Sequence, residues 1–240
     1  MKAKKPFLIE VCGMRDAENI RQLETLDIDM MGFDFRPDSP RYVQMISSLA
    51  GIIPDYSMDR YRKQAGKAAG QPEFRRIKRV GVFADDMPQN IITRIYNYEL
   101  DYVQLQGEES PLMIDNLRRT VDPDIRAGIK IIKRIKVSSV SDFEQCKAYE
   151  GHADLLLFDM RCEKTKDKET QFDGALLQAY HGETPFLLGG DIGPEDVDGL
   201  RMFNHLKCVG INVNKRFEVA PAVKDIVLLK TFVSRVNAGR

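Results

Sequence analysis

The chain has 240 residues, 43% of them hydrophobic, enough to bury a full core as one barrel-sized or open-sheet domain or as two small ones. Thirty-six basic residues balance thirty-six acidic ones, so no net field steers the chain toward nucleic acid or a membrane surface. The four cysteines, Cys12, Cys146, Cys162 and Cys208, are scattered without a CxxC, which fits a reducing cytoplasm better than a disulfide framework.

Along the chain, short apolar runs bounded by turn residues alternate with stretches of helical period. The runs predict strands at Phe7 to Gly13, Asp29 to Phe35, Arg79 to Ala84, Asp101 to Leu105, Gly128 to Ile135, Ala153 to Asp159, Pro185 to Gly190 and Cys208 to Val213. Helices are expected at Ala17 to Leu26, Gln89 to Tyr98, Pro111 to Thr120, Ser141 to Tyr149, Gly174 to Tyr180, Pro194 to Phe203 and Val223 to Val236. Asp16, Ser110 and Ser141 mark helix starts, and Pro194 lies just inside one. Eight continuous apolar strands, each followed by a helix, read as parallel strands covered on both faces. That count in this length matches a single closed (β/α)8 barrel; an open doubly wound sheet is the alternative, though no GxGxxG follows the first strand.

One stretch breaks the rhythm. Residues 56–78 are long, polar and basic, with Arg60, Arg62, Lys63, Lys67, Arg75, Arg76 and Lys78. As a helix-to-strand connection the stretch faces the bottom of a barrel, opposite the active-site end, and reads as a solvated excursion, with a subunit contact as the alternative. His152, His181 and His205 have no ligand spacing, so no metal is expected. The N-terminus lacks a secretory apolar stretch, and no run reaches membrane-spanning length.

Barrel chemistry is built at the C-terminal ends of strands. Cys12 ends the first strand and Asp159 the sixth, so closure brings a thiol and a carboxyl to one rim. Two such groups suffice to move two protons on one small substrate. Each also has an ordinary reading: a strand cysteine is usually an inert hydrophobe, and an aspartate closing a strand is often a turn or capping residue.

The segments that carry these residues resemble the phosphoribosylanthranilate isomerase family over almost the whole chain. Val11-Cys12-Gly13-Met14-Arg15 is similar to its first-strand motif, and Gly32-Phe33-Asp34-Phe35 through Ser39-Pro40-Arg41-Tyr42-Val43 to its second. Val80-Gly81-Val82-Phe83, Val103-Gln104-Leu105-Gln106-Gly107, Leu157-Phe158-Asp159, Phe172-Asp173, Gly190 with Pro194, and Lys224-Asp225 follow in order. The resemblance implies a (β/α)8 barrel and an Amadori rearrangement in tryptophan biosynthesis. N-(5'-phosphoribosyl)anthranilate becomes 1-(2-carboxyphenylamino)-1-deoxyribulose 5-phosphate, without a cofactor. It implies Asp159 as the acid, Cys12 as the base, and Arg41 as the partner of the anthranilate carboxylate, a task suited to a planar fork. Gly190, Asn214, Lys215 and Arg216 fall where the substrate phosphate is expected, after strands seven and eight. Gln106 and Asn212 stand at motif positions that face the substrate. A small phosphosugar is then the only partner expected, to a monomer or homodimer.

Several positions depart from the family's pattern. Glu10 stands where Lys is usual, two residues before the cysteine and on the same face of the strand. A carboxylate beneath the thiol disfavours thiolate unless a cation such as Lys133 neutralises it. Asp191 replaces a glycine of the phosphate loop, and Lys164-Thr165-Lys166-Asp167-Lys168-Glu169-Thr170-Gln171 replaces a glycine-rich loop. Gly174, Gln106 and Asn212 replace Trp, His and Asp. Two readings follow: an active isomerase that holds phosphate with the side chains of Lys215, Arg216 and Lys164 or Lys166, or a catalytically impaired barrel that binds a different anion. A nonhomologous barrel acting on phosphosugars is a third.

Overall fold

Parallel strands buried on both faces and followed by covering helices form either an open doubly wound sheet or a closed barrel, and this chain closes. The computed structural model describes residues 7–44, 77–160 and 174–238. Within them run β1 (Leu8–Val11), α1 (Ala17–Leu23), β2 (Met30–Asp34), β3 (Lys78–Phe83), α2 (Pro88–Tyr98), β4 (Tyr102–Leu105), α3 (Pro111–Val121) and β5 (Lys130–Val137). A 3-10 helix (Val140–Tyr149) leads to β6 (Leu155–Met160), α4 (Gly174–Leu177) and β7 (Phe186–Gly190). After a 3-10 turn come α5 (Val197–Met202), β8 (Cys208–Val213), the hairpin β9 (Glu218–Ala220) and β10 (Val223–Lys224), and α6 (Ile226–Ala238). Strands β1 to β8 pair in order, all parallel, and β8 returns to β1 to close the barrel. The basic stretch of residues 56–76, the loop 164–171, Cys162 and Phe172-Asp173 lie outside the described residues. Among those described, no helix is long and apolar enough to cross a membrane.

Two apolar layers follow from the strand period of two. One side of the strands fills the barrel with Met30, Val80, Ile132, Leu155, Leu157, Leu187 and Val209. The other packs outward under the helices, where Phe143, Phe158, Tyr180 and Phe186 form a contiguous aromatic cluster. The Tyr180 hydroxyl donates to the Thr184 carbonyl at 2.8 Å, so this ring is buried without an orphaned donor. Two helix starts form as expected: Asp16 caps α1 by accepting from Asn19 N at 2.7 Å, and Ser110 caps α3 by accepting from Met113 N at 3.2 Å.

Two helix starts are set by residues the expectation passed over. Ser141 does not start the fourth helical segment: Ser139 is the cap, because the Asp142 carboxylate accepts from both Ser138 N and Ser139 N at 2.7 and 2.8 Å. Nor does the last helix begin at Val223. Val223 and Lys224 pair antiparallel with β9, and α6 starts at Ile226 after Asp225 accepts from Leu228 N at 2.9 Å. The cause is long-range: Asn19 of α1 grips the backbone of Lys224 at both ends, donating to its carbonyl at 2.8 Å and accepting from its amide at 2.7 Å.

Closure of β1 on β8 depends on Gly210. It pairs with Leu8, and a Cβ at Gly210 would overlap the Leu8 carbonyl oxygen, backbone that has nowhere to move. Gly210→Ala should therefore lower unfolding free energy by about 1–3 kcal/mol, the usual cost of overpacking, in urea denaturation. A variant as stable as the wild type would show that β1 and β8 do not approach this closely.

Candidate active site

The inner face of β1 carries Leu8, Glu10 and Cys12 in order of height, by the same period of two. The ladder runs one residue past the strand: Cys12 N donates to the Val213 carbonyl at 2.9 Å, and Gly13 then turns away at φ +80°. The thiol lies over Gly32 of β2, where a Cβ would come within 2.8 Å of Sγ. A Cβ on Gly13 would likewise sit 2.5 Å from Arg41 Cδ and 2.7 Å from Asn214 Oδ1. Glycine at these two positions lets the thiol, the guanidinium stem and the amide crowd one corner of the mouth. Above the thiol, buried Asp34 accepts from Arg36 Nε at 2.8 Å and Nη2 at 2.6 Å and from Ser39 Oγ at 2.7 Å.

Asp159 belongs to the same face of β6 as the interior residues Leu155 and Leu157, so it too points into the barrel at the C-terminal rim. Arg134 of β5 reaches up to it: Nε donates to Oδ2 at 2.8 Å, and Nη2 contacts the same oxygen. The two sequence-selected groups therefore share one mouth, with Asp159 already in an ion pair.

Arg41 is engaged as well. Its Nε and Nη2 donate to the two oxygens of Glu218 at 2.7 and 2.5 Å. Lys224 Nζ, fully buried, donates to Glu218 Oε1 at 2.8 Å and to Asn214 Oδ1 at 2.6 Å. Burial alone would raise the Glu218 carboxyl, but Arg41 and Lys224 hold it below the usual carboxylate range. The expected phosphate residues gather after β7 and β8. Gly190 adopts φ +114° with Met160 backbone where a side chain would be, and Lys215 is exposed. Arg216, however, pairs with Asp191 at 3.3 Å and with Glu195. The Gly193 amide is taken by Asp196 Oδ2 at 2.7 Å, a cap on the short 3-10 turn that begins at Pro194. Gln106 is half-buried at the rim, its backbone N–H on the Phe83 carbonyl at 2.8 Å, and Asn212 points inward from β8 beside Glu10.

The expectation that Lys133 neutralises Glu10 is overturned. Lys133 lies on the outer face of β5, where Nζ donates to Glu109 Oε2 at 2.8 Å and to the Gly107 carbonyl at 2.5 Å. Sequence reasoning assigned no role to Arg134, Asp34, Arg36, Glu218 or Lys224. Arg134 left a signal, a guanidinium inside the apolar run Ile131 to Ile135, but which face it occupies follows only from strand parity.

The electrostatics of the corner are severe. Burial pushes the Cys12 thiol up to about 12; the Glu10 and Asp34 carboxylates add to the rise, and Lys224 and Arg36 oppose it. Burial likewise raises the Glu10 carboxyl to about 7, and the neighbouring Asn212 amide moderates the rise without making a full hydrogen bond.

The model of the N-(5'-phosphoribosyl)anthranilate (PRA) isomerase family matches residues 54–235. An N-(5'-phosphoribosyl)anthranilate isomerase of Parabacteroides distasonis is 36% identical over 230 residues, covering 96% of this chain and 93% of its own. One from Phocaeicola vulgatus is 35% identical over 231 residues, covering 96% and 98%. Among solved structures, a phosphoribosyl anthranilate isomerase in complex with reduced 1-(o-carboxyphenylamino)-1-deoxyribulose 5-phosphate superimposes with TM-score 0.68 at 23% identity, covering 97% and 99%. The Thermus thermophilus enzyme gives 0.70 at 21%, covering 98% and 100%, and monomers of the dimeric Thermotoga maritima enzyme give 0.67 at 21%, covering 96% and 98%.

A carboxyl whose folded pKa is raised binds its proton more tightly in the native state than in the unfolded chain. Stability is then lost as pH rises through the window from 4.5 to about 7. Glu10→Gln removes that loss. The variant should match the wild type near pH 4.5 and exceed it above pH 7.5 by up to about 3 kcal/mol, from 1.36 kcal/mol per pKa unit. Urea denaturation at both pH values reads the difference, and equal stability at high pH would mean that Glu10 ionises without penalty.

Proposed function

The chain belongs to the N-(5'-phosphoribosyl)anthranilate isomerase family, and we propose that Cys12 and Asp159 are the base and acid with which it carries out that family's Amadori rearrangement. The observation that carries this reading is the meeting of a thiol from β1 and a carboxyl from β6 at the C-terminal mouth of one barrel. Asp159 gives its proton to the ribose ring oxygen, so the ring opens to an iminium. Cys12 takes the proton from the sugar C2, and the resulting enolamine tautomerises to the ketone. One group begins protonated and the other deprotonated, which demands two different environments. The corner of Cys12 holds Lys224 and Arg36 as counter-charges for thiolate, while Asp159 is paired with Arg134 and has to leave that pair to carry a proton to the sugar.

Arg41 orients the anthranilate carboxylate, sharing its fork with Glu218. Gly190, Asn214, Lys215 and Arg216 receive the phosphate, and Gln106 and Asn212 contact the sugar. The reaction runs without cofactor, in a single barrel domain of a cytoplasmic protein that works as a monomer or homodimer. The full-length relatives named as isomerases support an active enzyme over an impaired barrel binding another anion.

Loss of anthranilyl substrate fluorescence with purified protein tests the activity. Cys12→Ser and Asp159→Asn should each lower kcat at least about a hundredfold, the usual size of a general acid or base contribution, with unchanged thermal midpoints. Full turnover in either variant removes that residue from the mechanism. Asp191→Gly frees Arg216 from one of its two carboxylates and should lower KM about three- to fivefold, the scale of an exposed ion pair. An unchanged KM would put the phosphate elsewhere.

A further inference from the structure

Glu10 has no exposed surface, and neither of its carboxyl oxygens has a full hydrogen bond. Its register partner on β8 is Asn212, 8% exposed, whose Nδ2 is also unpartnered. On the same inner face, Gln104 of β4 is wholly buried with both amide atoms unpartnered. An unpaired buried polar group costs about 1–3 kcal/mol, so packing alone does not account for three such side chains in one interior.

Among the described residues, the cations at the mouth above Glu10 are committed, and Lys130 at the base lies over the Tyr102 ring. Arg36 serves Asp34, Lys224 serves Glu218 and Asn214, and Arg134 serves Asp159. Lys133 lies outside the barrel on Glu109. Strands β3 and β7 present Val80 and Leu187 to the interior, and the Tyr102 hydroxyl is the titratable group on β4. The groups above Glu10 are Asp34 and, one pleat up its own strand, the Cys12 thiol.

We propose that Glu10 is a positioning residue for Cys12: a carboxyl one pleat beneath the thiol whose own ionisation decides how readily the sulfur gives up its proton. Neutral Glu10, beside the amide of Asn212, leaves the thiolate to face Lys224 and Arg36. Ionised Glu10 adds a second anion to that of Asp34 and holds the proton on sulfur. No proton passes between the two groups; each exchanges its own, and the coupling is electrostatic. Burial brings the carboxyl to about 7, so the control falls in the working pH range. The consequence for turnover rests on Cys12 being the base, whereas the effect on the thiol does not.

The test is the rate of Cys12 alkylation by iodoacetamide, read on the Cys12 peptide by mass spectrometry from pH 5.5 to 9, in the intact wild type and in Glu10→Gln. The variant-to-wild-type ratio should be near one at pH 6 and at least threefold above pH 8. A ratio independent of pH, as a packing role alone would give, overturns the proposal. In the wild type alone the logarithm of the rate should flatten near pH 7 before rising again, and a straight line of unit slope overturns it without any variant. The pH profile of kcat/KM gives a separate reading: the inflection near pH 7 should vanish in Glu10→Gln, and its persistence is equally fatal. Full turnover of Cys12→Ser would defeat the catalytic role of the thiol and leave the alkylation result standing; a flat alkylation ratio would do the reverse.

Discussion

The mouth exists because β1 closes against β8. Residues 200 positions apart become neighbours only through that seam, where Gly210 lets the backbone of Leu8 approach without a side chain between them. The same seam sets the height of Cys12, whose amide continues the ladder onto Val213, and the Asn19 clasp then draws the buried Lys224 in beside it. Thiol, counter-cation and carboxylate clamp are thus held by strand ends and one buried two-point hydrogen bond rather than by loops alone. That is the rigidity an acid–base pair needs to meet one sugar from two sides.

Around the mouth, arginine after arginine is already paired inside the chain: Arg36 with Asp34, Arg41 with Glu218, Arg134 with Asp159, Arg216 with Asp191 and Glu195. On the proposed reading, a substrate bearing a carboxylate and a phosphate meets these arginines by exchanging ion pairs. Each exchange costs the internal pair and returns a new one, so ground-state binding is held down while an orientation that only the right anion spacing can satisfy is favoured. The acidic residues after β7 fit this pattern, since Asp191 and Glu195 occupy the guanidinium of Arg216, a residue of the proposed phosphate site.

The same crowding explains why the thiol is so reluctant an acid. Cys12 sits in a buried corner with two carboxylates against two cations. A thiol with such a high pKa is seldom ionised, yet its thiolate is a strong base once formed, which suits removal of a carbon-bound proton. The buried pair of Glu10 and Asn212 lies beneath the thiol, where control over that balance is most direct.

Much of this was legible in the residues. Eight apolar runs with helical stretches between them matched a closed barrel, with an open sheet as the alternative, and Cys12, Asp159 and Arg41 could be placed at or just past strand ends because the strand pattern is local. Ser139 rather than Ser141 as a cap, and Ile226 rather than Val223 as a helix start, were hidden because a side chain several residues away or on another helix decides them. The choice between Lys133 and Arg134 was hidden for a deeper reason. A strand buried on both faces has no polar side to mark which residues point inward, and the apolar pattern is the same either way. Only the curvature of the closed sheet separates inside from outside, so the chain alone determined which chemistry was present and, by strand parity, that Glu10 lay beneath the thiol, while tertiary structure decided that Arg134 rather than Lys133 entered the barrel and that Glu10 had no ion-pair partner there.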